Sequence, residues 1–277
     1  MKTFETIEHI QNYIKEAKKD GKTIGFVPTM GALHQGHLSL IRSAHKNNDI
    51  VVASIFVNPI QFNNAQDLEK YPRTIEQDSA LLEAEHCDII FYPSVKEMYP
   101  EEVDKTYDFG SLEQVLEGAF RPGHFNGVAI VVKKLFDIVM ADQAFFGKKD
   151  FQQLAIIRKL VEIDQIPIEI IACETKREDD GLAMSSRNRR LTKEERAIAP
   201  SIFQCLQKAK EEKHTFSPKE IEKHALDILA KDFKTEYFKI ADGHSLQPIE
   251  KWSDTDYPVA LVAAFLGQVR LIDNLEL

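Results

Sequence analysis

The chain has 277 residues and is acidic, with 35 Lys and Arg against 44 Asp and Glu for a net charge of −9, which argues against nucleic acid as a partner because phosphate contacts need a basic surface. Its three cysteines, Cys87, Cys173 and Cys205, contain no Cys-x-x-Cys pair, so neither a disulfide framework nor a zinc ribbon is indicated and a reducing cytoplasm is expected. No apolar run is long enough to span a bilayer, so no membrane association is expected.

The N-terminus reads as an amphipathic helix with Ile7, Ile10, Ile14 and Ala17 on one face. Apolar runs then alternate with helical patterns. Strands are expected at Thr23–Val27, Ile50–Val57, Asp88–Tyr92, Gln143–Phe146 and Ile168–Cys173, and helices at His37–Lys46, Thr74–Glu85, Val128–Val139 and Asp150–Glu162. That cadence predicts a Rossmann-like α/β fold, a parallel sheet with helices on both faces and ligands at the carboxyl ends of its strands. Beyond a charged stretch, Glu174–Arg190, come helices near Lys193–Lys213 and Pro218–Lys231. Strands Glu236–Ile240, Val259–Phe265 and Val269–Asn274 follow, the last two forming a hairpin about Gly267-Gln268. This is the pattern of a smaller C-terminal α+β domain, with residues 1–174 and 175–277 as the two domains.

The stretch Gly25-Phe26-Val27-Pro28-Thr29-Met30-Gly31-Ala32-Leu33-His34-Gln35-Gly36-His37-Leu38 reads as a strand halted by Pro28, a glycine-bearing turn and a helix start. Amides at a helix N-terminus lack carbonyl partners and favour an anion. The spacing from Gly31 to Gly36 matches the opening of a P-loop, but His37 and Leu38 stand where that motif needs Lys and Ser or Thr. What remains is His-x-Gly-His, with His34 and His37 as donors to a phosphate and Gly36 between them allowing close backbone approach. A plain helix cap with one packed and one surface histidine is the competing interpretation.

Further along, Asn58 and Gln61 in Asn58-Pro59-Ile60-Gln61-Phe62 could grip a carboxylate and hydroxyls without charge, or form an ordinary Asn-Pro turn. Thr74 could cap a helix and Asp78 lie on its solvated face. Leu116–Val128 is dense in turn residues and reads as a long loop. In Phe146-Gly147-Lys148-Lys149-Asp150-Phe151-Gln152-Gln153, Gly147 would let a ribose pack on the backbone, Lys149 meet phosphate charge and Asp150 accept from ribose hydroxyls; helix capping and solvated lysines are the alternative. Lys176-Arg177-Glu178-Asp179-Asp180-Gly181-Leu182-Ala183-Met184-Ser185-Ser186-Arg187 sets two hydroxyls among cations, suited to closing on a triphosphate or to serving as an interdomain linker.

Taken together, Pro28 to Leu40, Ser54 to Phe62, the Gly-x-Lys-Asp-x-Gln-Gln segment and Met-Ser-Ser-Arg resemble the pantoate–β-alanine ligase family of the adenylate-forming nucleotidyltransferase superfamily. The resemblance implies ATP-dependent condensation of (R)-pantoate with β-alanine through a pantoyl adenylate, releasing AMP and pyrophosphate. It implies His34, His37 and Lys149 as catalytic residues. ATP contacts would come from Met30, Gly31, Ala32, Leu33, His34, Gln35, Gly36 and His37, from Gly147, Lys148, Lys149 and Asp150, and from Lys176, Met184, Ser185, Ser186 and Arg187. Pantoate and β-alanine would meet Gln61, Gln153 and Asn58, with Asp78 near Mg²⁺ and, in the segment lining the cavity, Arg121 and His124 as candidates for anion contact. The resemblance also implies a homodimer. At Ile130 the chain departs from the threonine the family usually carries, so one hydroxyl is missing. The alternatives are another nucleotidyltransferase and a non-catalytic nucleotide-binding regulator of the same fold.

Overall fold

A computed structural model describes residues 1–62, 68–69 and 71–277. The chain divides into two compact units. One comprises Met1–Glu113, Glu117–Gly147 and Gln153–Cys173; the other comprises Gln114–Leu116, Lys148–Gln152 and Glu174–Leu277.

The first unit is built on strands β1 (Lys2–Phe4), β2 (Ile24–Thr29), β3 (Ile50–Ile55), β4 (Ile89–Phe91), β5 (Gln143–Gly147) and β6 (Glu169–Cys173). They lie in the order β1-β4-β3-β2-β5-β6 with every described pairing parallel. From β2 the chain winds outward through β3 and β4, then returns to place β5 on the other side of β2. The winding therefore reverses between β2 and β5, and the carboxyl ends of those two strands flank the crevice where such sheets bind ligands. The helices are α1 (Ile7–Lys19), α2 (Gln35–Ala44), α3 (Ile75–Ala84), α4 (Val95–Met98), α5 (Leu116–Phe120), α6 (His124–Val139) and α7 (Phe151–Ile163).

Alternation along the strands distributes side chains to two apolar layers. Phe26, Val52, Ile89 and Phe91 join Ile10, Ile14 and Phe136 in one cluster, while Val27, Val51, Ala53 and Ile90 join Leu33, Ile41 and Phe145 in the other. Ile130, the departure from the family threonine, is buried in the first of these clusters and is a packing residue. Among the described residues no helix is long and apolar enough to cross a membrane.

Three sequence expectations need correction. Strand β1 was not foreseen: its residues pair with β4, 87 positions downstream (Lys2↔Ile89), and carry no local signal. Pro28 does not halt β2, which continues to Thr29. Pairing with β5 is confined to Gly25 and Phe26, so no ladder donor is required of Pro28 on that side, and the Thr29 carbonyl accepts from Phe56 N at 3.1 Å toward β3. Nor is 116–128 a structureless loop, since it holds α5 and the first turn of α6.

The second unit carries an antiparallel sheet, β7 (Lys234–Asp242), β8 (Pro258–Leu266) and β9 (Val269–Glu276), with Leu266 paired to Val269 across the Gly267-Gln268 turn. Its helices are α8 (Lys193–Ile198), α9 (Ser201–Glu212) and α10 (Pro218–Leu229). Leu206, Ile221 and Leu229 pack with Phe238 and Val262 in one apolar core. Thr192 with Glu195 and Ser217 with Glu220 form capping boxes that fix the starts of α8 and α10. Burial raises the Cys205 thiol to about 11 and, in the first unit, the Cys87 thiol to about 12, so both are inert core residues.

Helix α6 approaches the turn that follows β3 so closely that a Cβ on Gly127 would lie 2.7 Å from Gln61 Cα and from the Ile60 carbonyl oxygen. Gly127→Ala must separate the two segments and is expected to cost about 1–3 kcal/mol, as overpacking does. Thermal denaturation should show a lowered midpoint; an unchanged midpoint would mean the contact yields freely.

Candidate active site

At the carboxyl end of β2 the backbone makes an unusual turn. Gly31 has φ +82° and Ala32 φ +51°, the second a left-handed conformation that an alanine adopts only when its surroundings impose it. The imposing group is Asp78, on the inward face of α3 and 1 % exposed. Its Oδ2 accepts from Ala32 N at 2.9 Å and from Thr74 Oγ1 at 3.1 Å, and its Oδ1 accepts from Leu33 N at 2.8 Å. Gly31 is needed there as well, because a Cβ would stand 3.0 Å from Asp78 Oδ2. Asp78 therefore does not lie on a solvated face, and its oxygens hold the turn instead of facing a metal. Among the described residues no group of three or more His, Cys, Asp or Glu is arranged to hold an ion.

The turn delivers His34 to the N-cap of α2. His34 Nδ1 accepts from Gly36 N at 3.1 Å, and His37 Nδ1 accepts from His34 N at 3.3 Å, a reciprocal cap made by two imidazoles. The rings lie 4.1 Å apart. A nitrogen that accepts carries no proton, so each ring holds its proton on Nε2. Cap and donor are thus the same residues: the bond that makes each Nδ1 an acceptor leaves Nε2–H as the donor of that ring, at a helix N-terminus where anions are favoured. The Gln35 side chain turns along the helix to accept from Arg42 at 2.8 Å.

Beside this turn, Asn58 is 1 % exposed and its amide is fully occupied. Nδ2 donates to the Gly127 carbonyl at 3.1 Å and to Gln61 Oε1 at 3.2 Å; Oδ1 accepts from Ile60 N at 3.3 Å and from the Tyr99 hydroxyl at 2.9 Å. Two donors and two lone pairs exhaust a side-chain amide. The expectation that Asn58 touches a substrate is corrected accordingly: it braces Gln61. Gln61 is half-buried and its Nε2 lies 3.0 Å from Met30 Sδ, joining the bracket to the first turn. His124 is likewise internal. Only a ring N–H can face a carbonyl, so Nδ1 donates to Gln61 O at 2.9 Å while Nε2 accepts from Arg121 at 3.0 Å, which removes His124 as an anion contact. A cavity of about 190 Å³ opens beside Met30 and Gly31, bounded by Phe56, Val57, Arg73 and Thr74. On α7, Gln153 is half-exposed and, among the described residues, its side chain makes no protein hydrogen bond.

In the second unit, Lys148 bonds Glu174 at 2.5 Å and Glu276 at 2.7 Å. Burial opposes its charge, but the two carboxylates outweigh burial and raise the ammonium above the usual lysine range. Its charge is thus taken up by two carboxylates of the protein. Lys149 is half-buried with Asp150 at 3.5 Å. Gln152, unlike Gln153, is buried and donates to Val115 O at 2.8 Å. The charged stretch after β6 has regular structure of its own. Glu178 N donates to Leu182 O at 2.8 Å, Met184 N to Lys176 O at 3.0 Å, and Arg177 bridges Ala183, making a small hairpin. Arg177 grips Asp273 at 2.6 and 2.9 Å and lies 3.7 Å over the Phe203 ring. Ser185 then caps a 3₁₀ turn, Ser186–Arg190, accepting from Arg187 N at 3.2 Å. Tyr99, Gly127, Asp273 and Asn274 went unnoticed in the sequence because their partners are remote; only a glycine within an apolar helix pattern marked Gly127.

Asp78→Asn replaces one acceptor oxygen by a donor facing backbone amides. The loss expected is about 1–3 kcal/mol for a buried amide left unpaired. Urea unfolding without nucleotide or metal should show it; a stability equal to that of the parent protein would contradict the assigned role.

Comparison with known proteins places this geometry in a family. A profile of the pantoate-beta-alanine ligases matches residues 2–276. The pantothenate synthetase of Porphyromonas gingivalis is 50 % identical, over all of this chain and 99 % of that protein, and that of Bacteroides fragilis is 48 % identical over the same shares. Among solved structures, the pantothenate synthetase of Thermus thermophilus superposes with a TM-score of 0.93 at 40 % identity, covering 100 % of this chain and 99 % of that one. The pantoate-beta-alanine ligase of Francisella tularensis, solved with β-γ ATP and β-alanine, does so with a TM-score of 0.83 at 35 % identity, covering 100 % and 97 %. With the profile, the relatives' sequences and the superposed structure agreeing over nearly the whole length, the chain belongs to the pantoate–β-alanine ligase family.

Proposed function

We propose that this chain catalyses the ATP-dependent condensation of (R)-pantoate with β-alanine to pantothenate, with AMP and pyrophosphate as the other products. The observation that carries the reading is the reciprocal cap of His34 and His37, which supplies two Nε2–H donors at the start of α2. The ligands of the Francisella relative support ATP and β-alanine as substrates.

In the first step a pantoate carboxylate oxygen forms a bond to the α-phosphorus, and the bond from that phosphorus to the β-bridging oxygen breaks. Pyrophosphate leaves with the electron pair. In the second, the β-alanine amine forms a bond to the acyl carbon, AMP leaves as the C–O bond breaks, and the amine proton passes to solvent. No covalent enzyme intermediate is required, so catalysis rests on positioning and on stabilising charge as it gathers on phosphate.

His34 and His37 donate to α-phosphate oxygens, and the stretch from Met30 to Gly36 lines the nucleotide, the amides of Gly31, Ala32, Leu33, His34 and Gly36 being spent on holding the turn. Gln61, braced by Asn58, and Gln153 hold pantoate through neutral hydrogen bonds, which suits a hydroxy acid better than a phosphate. Lys149, Ser185, Ser186 and Arg187 take the β- and γ-phosphates, and Asp150 the ribose. Gly147 leaves room beside it, since a Cβ there meets nothing within 4 Å. Lys176 and Met184 flank the nucleotide. Mg²⁺ belongs to this scheme as part of the MgATP substrate, held by phosphate oxygens and water; Asp78 does not fit as its ligand. A cytoplasmic homodimer is carried by the family resemblance, and sedimentation at micromolar concentration showing only a species of the chain mass would overturn it.

Pantoate-dependent exchange of labelled pyrophosphate into ATP, measured without β-alanine, tests the reading. Exchange is expected, and His37→Ala should cut it by about 10²–10³, as loss of a preorganised transition-state donor does. The same substitution removes half of the reciprocal cap, so stability should fall by about 1 kcal/mol. Exchange with other acids but not pantoate would sink the substrate; none with any acid, from folded protein that binds ATP, would sink the enzyme.

A further inference from the structure

Two neighbouring residues on the last strand hold both phosphate-directed segments of the second unit. Asn274 is buried, and its Nδ2 donates to the carbonyls of Lys148 and Lys149, each at 2.9 Å. Because both hydrogens sit on one nitrogen, the two carbonyls must turn to the same side, which fixes the peptide plane between them and the direction in which the Lys149 side chain leaves the backbone. Asp273, 4 % exposed, receives Arg177 through both carboxylate oxygens. Arg177 in turn donates to Gly181 O at 3.0 Å and to Asn274 O at 3.3 Å, closing the hairpin that leads into Ser185 and Ser186. Nearby, Glu276 holds the Lys148 ammonium and accepts from the Tyr257 hydroxyl at 2.9 Å. Lys149 and the serines are 36 residues apart in sequence (Lys149 to Ser185), yet their backbones are set by one dipeptide.

We propose that Asn274 is a positioning residue for the adenylation step: with Asp273 beside it, it registers the Lys148-Lys149 turn against the Met184-Ser185-Ser186-Arg187 segment, so that Lys149 and the two serines meet one triphosphate together. This rests on the adenylation reading given above. Asn274 touches neither substrate; it acts through Lys149. Loss of its two donors leaves the turn able to rotate, and displacement of a phosphate-binding group by about 1 Å is enough to cost about 10²-fold in rate.

The test is pyrophosphate exchange by the full chain carrying Asn274→Asp, which keeps the shape but points oxygen at two carbonyls, and by Asn274→Ala, each alone and combined with Lys149→Ala. The expected result is a fall of about 10²-fold in kcat/KM for ATP, with the pantoate KM within about twofold, since pantoate is gripped elsewhere. In the Lys149→Ala background the same substitution should cost less than about threefold, because the group it positions is gone. If Asn274→Asp does not fold, Asn274→Ala carries the comparison. An effect below threefold in the single variants would overturn the proposal, as would an undiminished effect in the Lys149→Ala background or a parallel rise in the pantoate KM. Absence of exchange in the unsubstituted protein would instead overturn the adenylation reading, and the proposal with it.

Discussion

The turn after β2 closes because one buried carboxylate receives two consecutive amides from it. Ala32 N and Leu33 N both end on Asp78, and hydrogen bonds to a charged acceptor, about 1.5–3 kcal/mol each, outweigh the cost of about 1–3 kcal/mol of a left-handed alanine. Everything beyond the turn inherits its direction from that exchange. His34 arrives at the N-cap of α2 with an extended backbone (φ −144°, ψ 174°), and only from there can the two imidazoles cap one another. The acid that sequence alone placed on a wet helix face is thus the keystone of the site, and its work is done before any ligand arrives.

The same division of labour recurs throughout the molecule. Four buried polar side chains bond within the protein and set the posture of others nearby: Asn58 braces Gln61, His124 holds the Gln61 carbonyl, Gln152 ties down Val115 beside Gln153, and Asn274 sets the turn of Lys149. Each would be costly if left unpaired in a low-dielectric interior. Each adjoins a side chain that the proposed chemistry uses. A reaction driven by placement, with no covalent intermediate, needs such a layer more than it needs reactive groups.

Much of this was legible in the sequence, and the part that was not has a common cause. The alternation of apolar runs with helical periods located β2 to β6 and the C-terminal hairpin, because strand and helix periods are local signals. His-x-Gly-His was legible because both imidazoles and the glycine lie within one turn. What failed were judgements on how a side chain's bonding capacity is spent. Asn58 and Gln61 are adjacent in type and place, but one is 1 % exposed and nothing in the local pattern says which. Lys148 and Lys149 read alike, but Glu174 and Glu276, farther along the chain, both reach the first. Asp273 and Asn274 read as the polar end of an edge strand, and their partners lie 96 and 125 residues away. Burial of polar residues by distant segments leaves no periodic trace.

The central claim is that one set of hydrogen bonds both builds the helix start and fixes the protons of its two histidines. The ¹⁵N resonances of the ring nitrogens of His34 and His37, assigned in the protein without ligand at neutral pH, test it directly. The reciprocal cap predicts that both rings hold their proton on Nε2, with Nδ1 bare and accepting. A ring protonated on Nδ1 at either position would contradict the account, because that nitrogen could no longer receive the backbone amide on which the cap depends.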